Sequence, residues 1–195
     1  MKKSILLAGL LFATTNIYAQ GAGKVIIGAS FGTGSGKTEV TGHENANINF
    51  DSTTTIFTLG YTLSDTQRII LSHETIKQEL EGYTLFNMKE PDNTGINLDF
   101  QYLLPAGQVK PYALIGLGSY KFDGSGSGSS DGSELSGLSF NYGIGLLFEL
   151  SKNVELETSY RGKIINWQDI EYSGGQKSEM STNVSHVTLG LNVLF

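Results

Sequence analysis

The chain has 195 residues, no cysteine, 25 glycines, three prolines and a formal charge of −6. Without cysteine there is no disulfide framework and no lipidated N-terminal cysteine, and the acidic balance excludes a nucleic-acid partner, which needs a basic footprint. Beyond the first twenty residues no apolar run approaches the ~18 residues of a membrane helix, and helical periodicity is nearly absent, so the length fits one β domain.

The chain opens with Met1-Lys2-Lys3, an apolar run from Ile5 to Ala13, and Asn16-Ile17-Tyr18-Ala19 before Gln20. A basic start, a short apolar run and a small residue before the cut are the parts of a Sec export signal. Residues 1–19 are therefore read as a cleaved signal and residues 20–195 as the mature domain. Losing Lys2 and Lys3 takes the charge from −6 to −8.

In the mature domain, residues alternate with the period of a strand, whose successive side chains point to opposite faces. Residues 24–33 set Val25, Ile27, Ala29 and Phe31 against Lys24, Gly28, Ser30 and Gly32, with Ile26 breaking the polar side. A Gly/Ser/Thr-rich stretch to about Asp51 reads as a loop. Residues 53–63 place Thr55, Phe57, Leu59, Tyr61 and Leu63 on one face, and Ser64-Asp65-Thr66-Gln67 turns the chain. Residues 68–76 are the least regular; their better phase turns Ile69, Leu71 and His73 outward and Arg68, Ser72 and Glu74 inward.

After the polar stretch 77–91, Ile96, Leu98, Phe100 and Tyr102 oppose Asn97, Asp99 and Gln101. Residues 110–121 start with Pro111, which is tolerated at a strand's beginning, and face Ala113, Ile115 and Leu117 outward. Residues 123–137 are nearly all Gly, Ser and acid, a flexible excursion. Residues 138–150 set Phe140, Tyr142, Ile144, Leu146 and Phe148 against Asn141, Gly143, Gly145 and Glu149. A turn at 151–153 leads to 154–163, where Val154, Leu156, Thr158 and Tyr160 oppose Glu155, Glu157, Ser159, Arg161 and Lys163. Residues 164–182 read as a last long loop. In the closing strand Val187, Leu189, Leu191, Val193 and Phe195 share a face, and Leu194 is the one apolar residue on the other.

This is a count of eight strands of about ten residues, the length a tilted strand needs to cross a bilayer. Short turns follow strands two, four and six and long loops follow the odd strands, as in an outer-membrane barrel with periplasmic turns and extracellular loops. The fold class is all-β, an eight-stranded antiparallel up-and-down transmembrane barrel with its apolar face on lipid and its ionic face enclosed. A closed ring has no strand edge requiring a partner, which predicts a monomer. The expected location is the outer membrane of a Gram-negative bacterium.

Pro111-Tyr112, Gly116-Leu117-Gly118, Tyr142-Gly143-Ile144-Gly145-Leu146 and Leu156-Glu157-Thr158-Ser159-Tyr160-Arg161 resemble the outer-membrane β-barrel domain family that includes opacity proteins and OmpA/OmpX-type small barrels. The resemblance implies a structural or surface-interaction role, in adhesion or envelope integrity. It also implies that the terminal Phe195 is the signal read by the barrel-assembly machinery.

Eight strands enclose a lumen just wide enough for side chains to fill. Simple pairing about the 151–153 turn puts Gly143 beside Arg161 and Leu147 beside Glu157. The expected lumen network joins Arg161 and Lys163 with Glu74, Asp99 and Glu157. The competing reading is a wet, narrow passive pore.

Other sites are weaker. Gly36-Lys37-Thr38 ends like a phosphate loop, but Phe31 stands where the pattern needs glycine. A lipid A-modifying enzyme would need a nucleophile beside a histidine base; His73 and Ser185 fall on non-neighbouring strands, His186 faces away from Ser185, and His43 is in a loop. No spacing matches a metal-ligand motif, and no cofactor is expected. The long loops are acidic, from Glu39 and Glu44 to Asp169, Glu171 and Glu179. Their carboxylates are suited to a cationic host or extracellular ligand, or to sharing divalent cations with lipopolysaccharide. Trp167 and Tyr172 are the expected aromatic contact patch on that surface.

Overall fold

The computed structural model describes residues 22–43, 45–79, 92–104, 107–123, 135–171 and 175–195. The export signal expected at residues 1–19 lies outside them, as does Tyr172. Strands β1 (Val25–Gly42), β2 (Ala46–Ser64), β3 (Gln67–Glu79), β4 (Asp92–Leu103), β5 (Val109–Asp123), β6 (Leu135–Ser151) and β7 (Val154–Trp167) follow in order, each antiparallel to the next. A two-residue strand, β8 (Ile170–Glu171), pairs only with the start of β9 (Lys177–Leu194). Strand β9 pairs with β7 on one side and with β1 on the other, so eight long antiparallel strands close into a ring.

The alternation has the expected sense. Ile27, Phe57, Leu71, Leu98, Ile115, Ile144, Tyr160 and Leu189 are exposed on the outer wall, while Arg68, Glu74, Asp99, Asn141, Glu157, Arg161 and Lys163 are buried within. Ile26 and Leu194, apolar residues on the inward face of their strands, sit directly opposite each other across β1 and β9. Together with Ile70 they form a small apolar cluster inside the lumen at the short-turn end.

Strand lengths and two loops differ from the expectation. The strands run from 12 to 19 residues instead of about ten. The stretch expected to be a loop up to Asp51 is the long hairpin of β1 and β2, and the last loop is shortened because β7 reaches Trp167 and β9 begins at Lys177. The physical reason is a change of solvent along each strand. On β1 the outward residues pass from Val25, Ile27, Ala29 and Phe31 to Thr33, Ser35, Lys37 and Glu39, while the inward side acquires an apolar filling. That filling is Phe50, Ile76, Tyr120, Ile165, Trp167 and Val184, with Phe122, Leu135 and Met180 against it. Below, in lipid, the wall is apolar and the interior holds the buried charges between small apolar clusters. Above, in water, the wall is polar and the interior apolar, as in a soluble barrel.

Glycines face large rings on both sides of the wall, Tyr120 and Tyr112 inside and Tyr142 outside. Gly95 lies opposite Tyr120, Gly145 opposite Tyr112 and Gly162 opposite Tyr142. A Cβ at any of the three would come within 2.5 Å of the ring. Each tyrosine therefore lies flat over a bare backbone, a device that supports glycine in curved sheets.

Candidate functional site in the barrel interior

Strand β7 is the spine of the interior. Its inward positions read Glu155, Glu157, Ser159, Arg161 and Lys163 before turning apolar at Ile165 and Trp167, and all seven are buried. Each charge meets its partner at a different height.

At the short-turn end, Arg68 on β3 reaches across the lumen and donates from both terminal nitrogens to the two Glu155 oxygens, each at 2.8 Å. Both side chains are at most 4 % exposed. One rung higher, Arg161 Nη2 donates to Glu157 Oε1 at 2.8 Å, Asn192 donates to Oε2 at 2.8 Å, and the Tyr112 hydroxyl also donates to Oε1. Asp99 lies 4.0 Å from Arg161 Nη1 and accepts from Asn141 Nδ2 at 3.0 Å.

Above these, Glu74 is a hub. Lys163 pairs with it, Thr54 donates at 2.8 Å, Asn97 Nδ2 donates at 3.2 Å, and the Tyr120 hydroxyl lies 2.6 Å away. Lys163 also donates to the Tyr120 oxygen at 2.7 Å. A buried carboxylate is tolerated only when its lone pairs are so occupied.

The residues expected in the lumen, Glu74, Asp99, Glu157, Arg161 and Lys163, thus sit together inside the ring. Gly143 faces Arg161 and Leu147 faces Glu157 in the register. Sequence reasoning missed Glu155 as a partner for Arg68, because a contact across the ring has no counterpart in the order of neighbouring strands. It missed Tyr112 and Tyr120 for the same reason, and also Asn97 and Asn192, which reach Glu74 and Glu157 diagonally from the adjacent strands.

The assignment of Trp167 to an external contact patch is corrected. Trp167 is 6 % exposed, donates from its indole to Thr182 at 2.9 Å and meets Phe122 edge-on, with ring centroids 5.8 Å apart. Alternation on β7 continues past Lys163, so this position turns inward into the extracellular apolar filling. Phe195 closes the seam: its amide donates to the Val25 carbonyl at 2.9 Å, and its ring is exposed outside.

His73 faces outward on β3 and Ser185 lies on β9, with β1 and β2 between them in the ring. A different serine meets a histidine: Ser52 Oγ lies 3.0 Å from His186 Nε2. Both are buried, and His186 Nδ1 has no hydrogen-bond partner among the described residues, so the third group that would orient a catalytic histidine is missing from this pair. Among the described residues no cluster of three or more metal-binding side chains occurs.

A family model described as the outer membrane protein beta-barrel domain matches residues 4–192. The chain belongs to this family. It is accordingly a Gram-negative outer-membrane barrel. Its fold is similar to that of OprG from Pseudomonas aeruginosa, with 13% identity and a TM-score of 0.57 over 92% of this chain and 99% of that one. Neisserial surface protein A shares 17% identity with a TM-score of 0.53, over 89% of this chain and 99% of that one. The outer membrane protease OmpT from Escherichia coli shares 9% identity with a TM-score of 0.50, over 93% of this chain and 100% of that one. At these identities the likeness is one of fold and carries no chemistry from any of the three. No curated protein sequence matches the chain.

Proposed function

We propose that this barrel is a closed, non-conducting outer-membrane scaffold with a structural or surface-interaction role, in adhesion or envelope integrity. The observation that supports it best is the filling of the interior at every height. Ile26, Ile70 and Leu194 with the Arg68–Glu155 pair occupy the short-turn end, the Arg161–Glu157 and Lys163–Glu74 pairs the middle, and the Phe50–Trp167 cluster the extracellular end. An apolar cluster across the upper lumen raises the barrier to ions well beyond what a polar lining alone would. The outer rim offers the contact surface instead, with Glu39, Asp51, Glu79, Asp169 and Glu179 exposed against Lys37, Lys77 and Lys177. This rim would meet lipopolysaccharide and cationic extracellular ligands, and β9 with Phe195 would be presented to the barrel-assembly machinery. No catalytic role is assigned.

Planar-bilayer recording of the purified protein tests the reading. A quiet bilayer is expected, unchanged by Trp167→Ala, because the ion pairs beneath remain. Discrete channels from the parent protein would replace it with the narrow-pore reading. Loss of whole-cell adhesion on shortening the loops, with the barrel intact, would separate adhesion from envelope support.

A further inference from the structure

The short-turn mouth of the barrel holds a cavity of about 300 Å³ lined by Lys24, Arg68, Lys110, Lys152, Glu149 and Glu155, among others. Its charges are unevenly matched. Glu155 is held by both terminal nitrogens of Arg68, and Glu149 is paired with Lys110. The cations that remain have no acid. Lys24 Nζ meets only the Lys152 backbone carbonyl, at 3.2 Å, and the Lys152 side chain meets no acceptor among the described residues. Asp65, on the exposed turn, is the one uncommitted carboxylate in the lining.

A second observation is independent of that count. Arg68 is 3 % exposed, and its Nε–H has no hydrogen-bond partner among the described residues. A buried donor of this kind is costly to leave unmade, more so on a charged group. It marks a place for an acceptor in a lining that also carries the two unpaired ammonium groups.

We propose that this vestibule binds an oxyanion, a carboxylate or phosphate group presented from the periplasmic side. One oxygen accepts from Arg68 Nε, and Lys24 and Lys152 close over the others. The ligand chemistry is shared by two sources, the headgroup of an anionic phospholipid in the inner leaflet and a soluble periplasmic anion. The site sits below the Arg68–Glu155 pair and needs no passage through the barrel, so it stands or falls separately from the closed-lumen reading.

The test uses the full mature barrel in zwitterionic micelles, observing the arginine Nε–H resonances while inorganic phosphate is added. The expected result is a saturable shift of the Arg68 signal. Lys24→Gln and Lys152→Gln should each weaken binding about 2- to 5-fold, the scale of an exposed charge pair. Lys37→Gln, at the opposite rim, should leave it unchanged. A peptide with a free C-terminal carboxylate should compete with phosphate, and its amide should not. In nanodiscs, competition from phosphatidylglycerol but not phosphatidylcholine assigns the lipid headgroup as the source, and its absence assigns a soluble anion. An Arg68 signal that does not move, or binding untouched by the Lys24→Gln, Lys152→Gln double variant, overturns the proposal. Both lysines lie at the exposed mouth, and heat-modifiability on a gel verifies that the variants fold.

Discussion

At the scale of single residues, the interior shows how charge is kept in a membrane protein. Arg68 and Glu155 are both desolvated, so neither is tolerable without the other. Glu155→Ala leaves an uncompensated guanidinium and should cost about 3–5 kcal/mol, measured as the shift in urea unfolding in detergent. The double replacement Arg68→Met, Glu155→Leu should cost far less, since breaking a buried pair is worse than removing it. A double variant as unstable as the single one would show that the pair itself stabilises the barrel. Tyr120→Phe is a milder cut. It removes the hydroxyl that bridges Glu74 and Lys163, and a loss of about 1–3 kcal/mol is expected by the same unfolding measurement.

Which of these residues were legible beforehand follows from where their partners lie. Arg161 and Glu157 are four residues apart on one strand, and Gly143 opposes Arg161 across the 151–153 turn, so their proximity follows from local counting. Arg68 and Glu155 are 87 residues apart on strands that do not touch. Only closure of the ring at a particular diameter brings them together, and nothing in the spacing of either strand encodes that distance.

At the scale of elements, the decisive fact is that one strand serves two solvents. On β5 the outward residues are Ala113, Ile115 and Leu117, followed by Ser119 and Lys121. Ile115→Arg should therefore destabilise by about 2–4 kcal/mol, and Ser119→Arg by about 0–1 kcal/mol, read as unfolding in lipid vesicles. Equal penalties would mean that the membrane boundary lies above Ser119.

The same fact explains the misread segments. A search for apolar residues on the outer face finds strands only where lipid is the solvent. In residues 33–51 and 165–167 the outer face is Thr, Ser, Lys, Glu, Asn and Asp, so the apolar alternation ends there, while the backbone ladder continues to Gly42 and Trp167. The glycine–tyrosine pairs belong to this scale too. Gly145→Val should push the Tyr112 ring off β6 and away from Glu157, costing about 1–3 kcal/mol of overpacking. A Tyr112→Ala background should remove most of that penalty; a valine equally harmful there would point to backbone strain instead.

At the scale of the whole molecule, the barrel is two stacked environments sharing one wall. The lower half is inside-out relative to a soluble protein and depends on acyl chains; the upper half is ordinary. Removal of detergent should expose the Ile27, Phe57, Leu98, Ile115, Ile144 and Leu189 belt and drive aggregation, leaving the extracellular hairpins no cause to unfold first. Sedimentation after dilution, combined with Trp167 fluorescence, measures both. A native-like Trp167 spectrum in the pelleted material is expected. The architecture was readable because outward alternation repeats on all eight strands. The ligand at the rim was not, since exposed acids and hydroxyls compose both a contact surface and a merely hydrated one.

The seam between β1 and β9 runs from Ile26 opposite Leu194 to Gly42 opposite Ser178. The first long strand of the barrel is therefore zipped to the last one. A barrel without β9 would be a hoop that cannot be fastened, with bare amides along the free edge of β1. Closure of the ring and pairing of its two outermost strands are in this way one event, and an unpaired margin on either strand is a ladder open to any other extended chain.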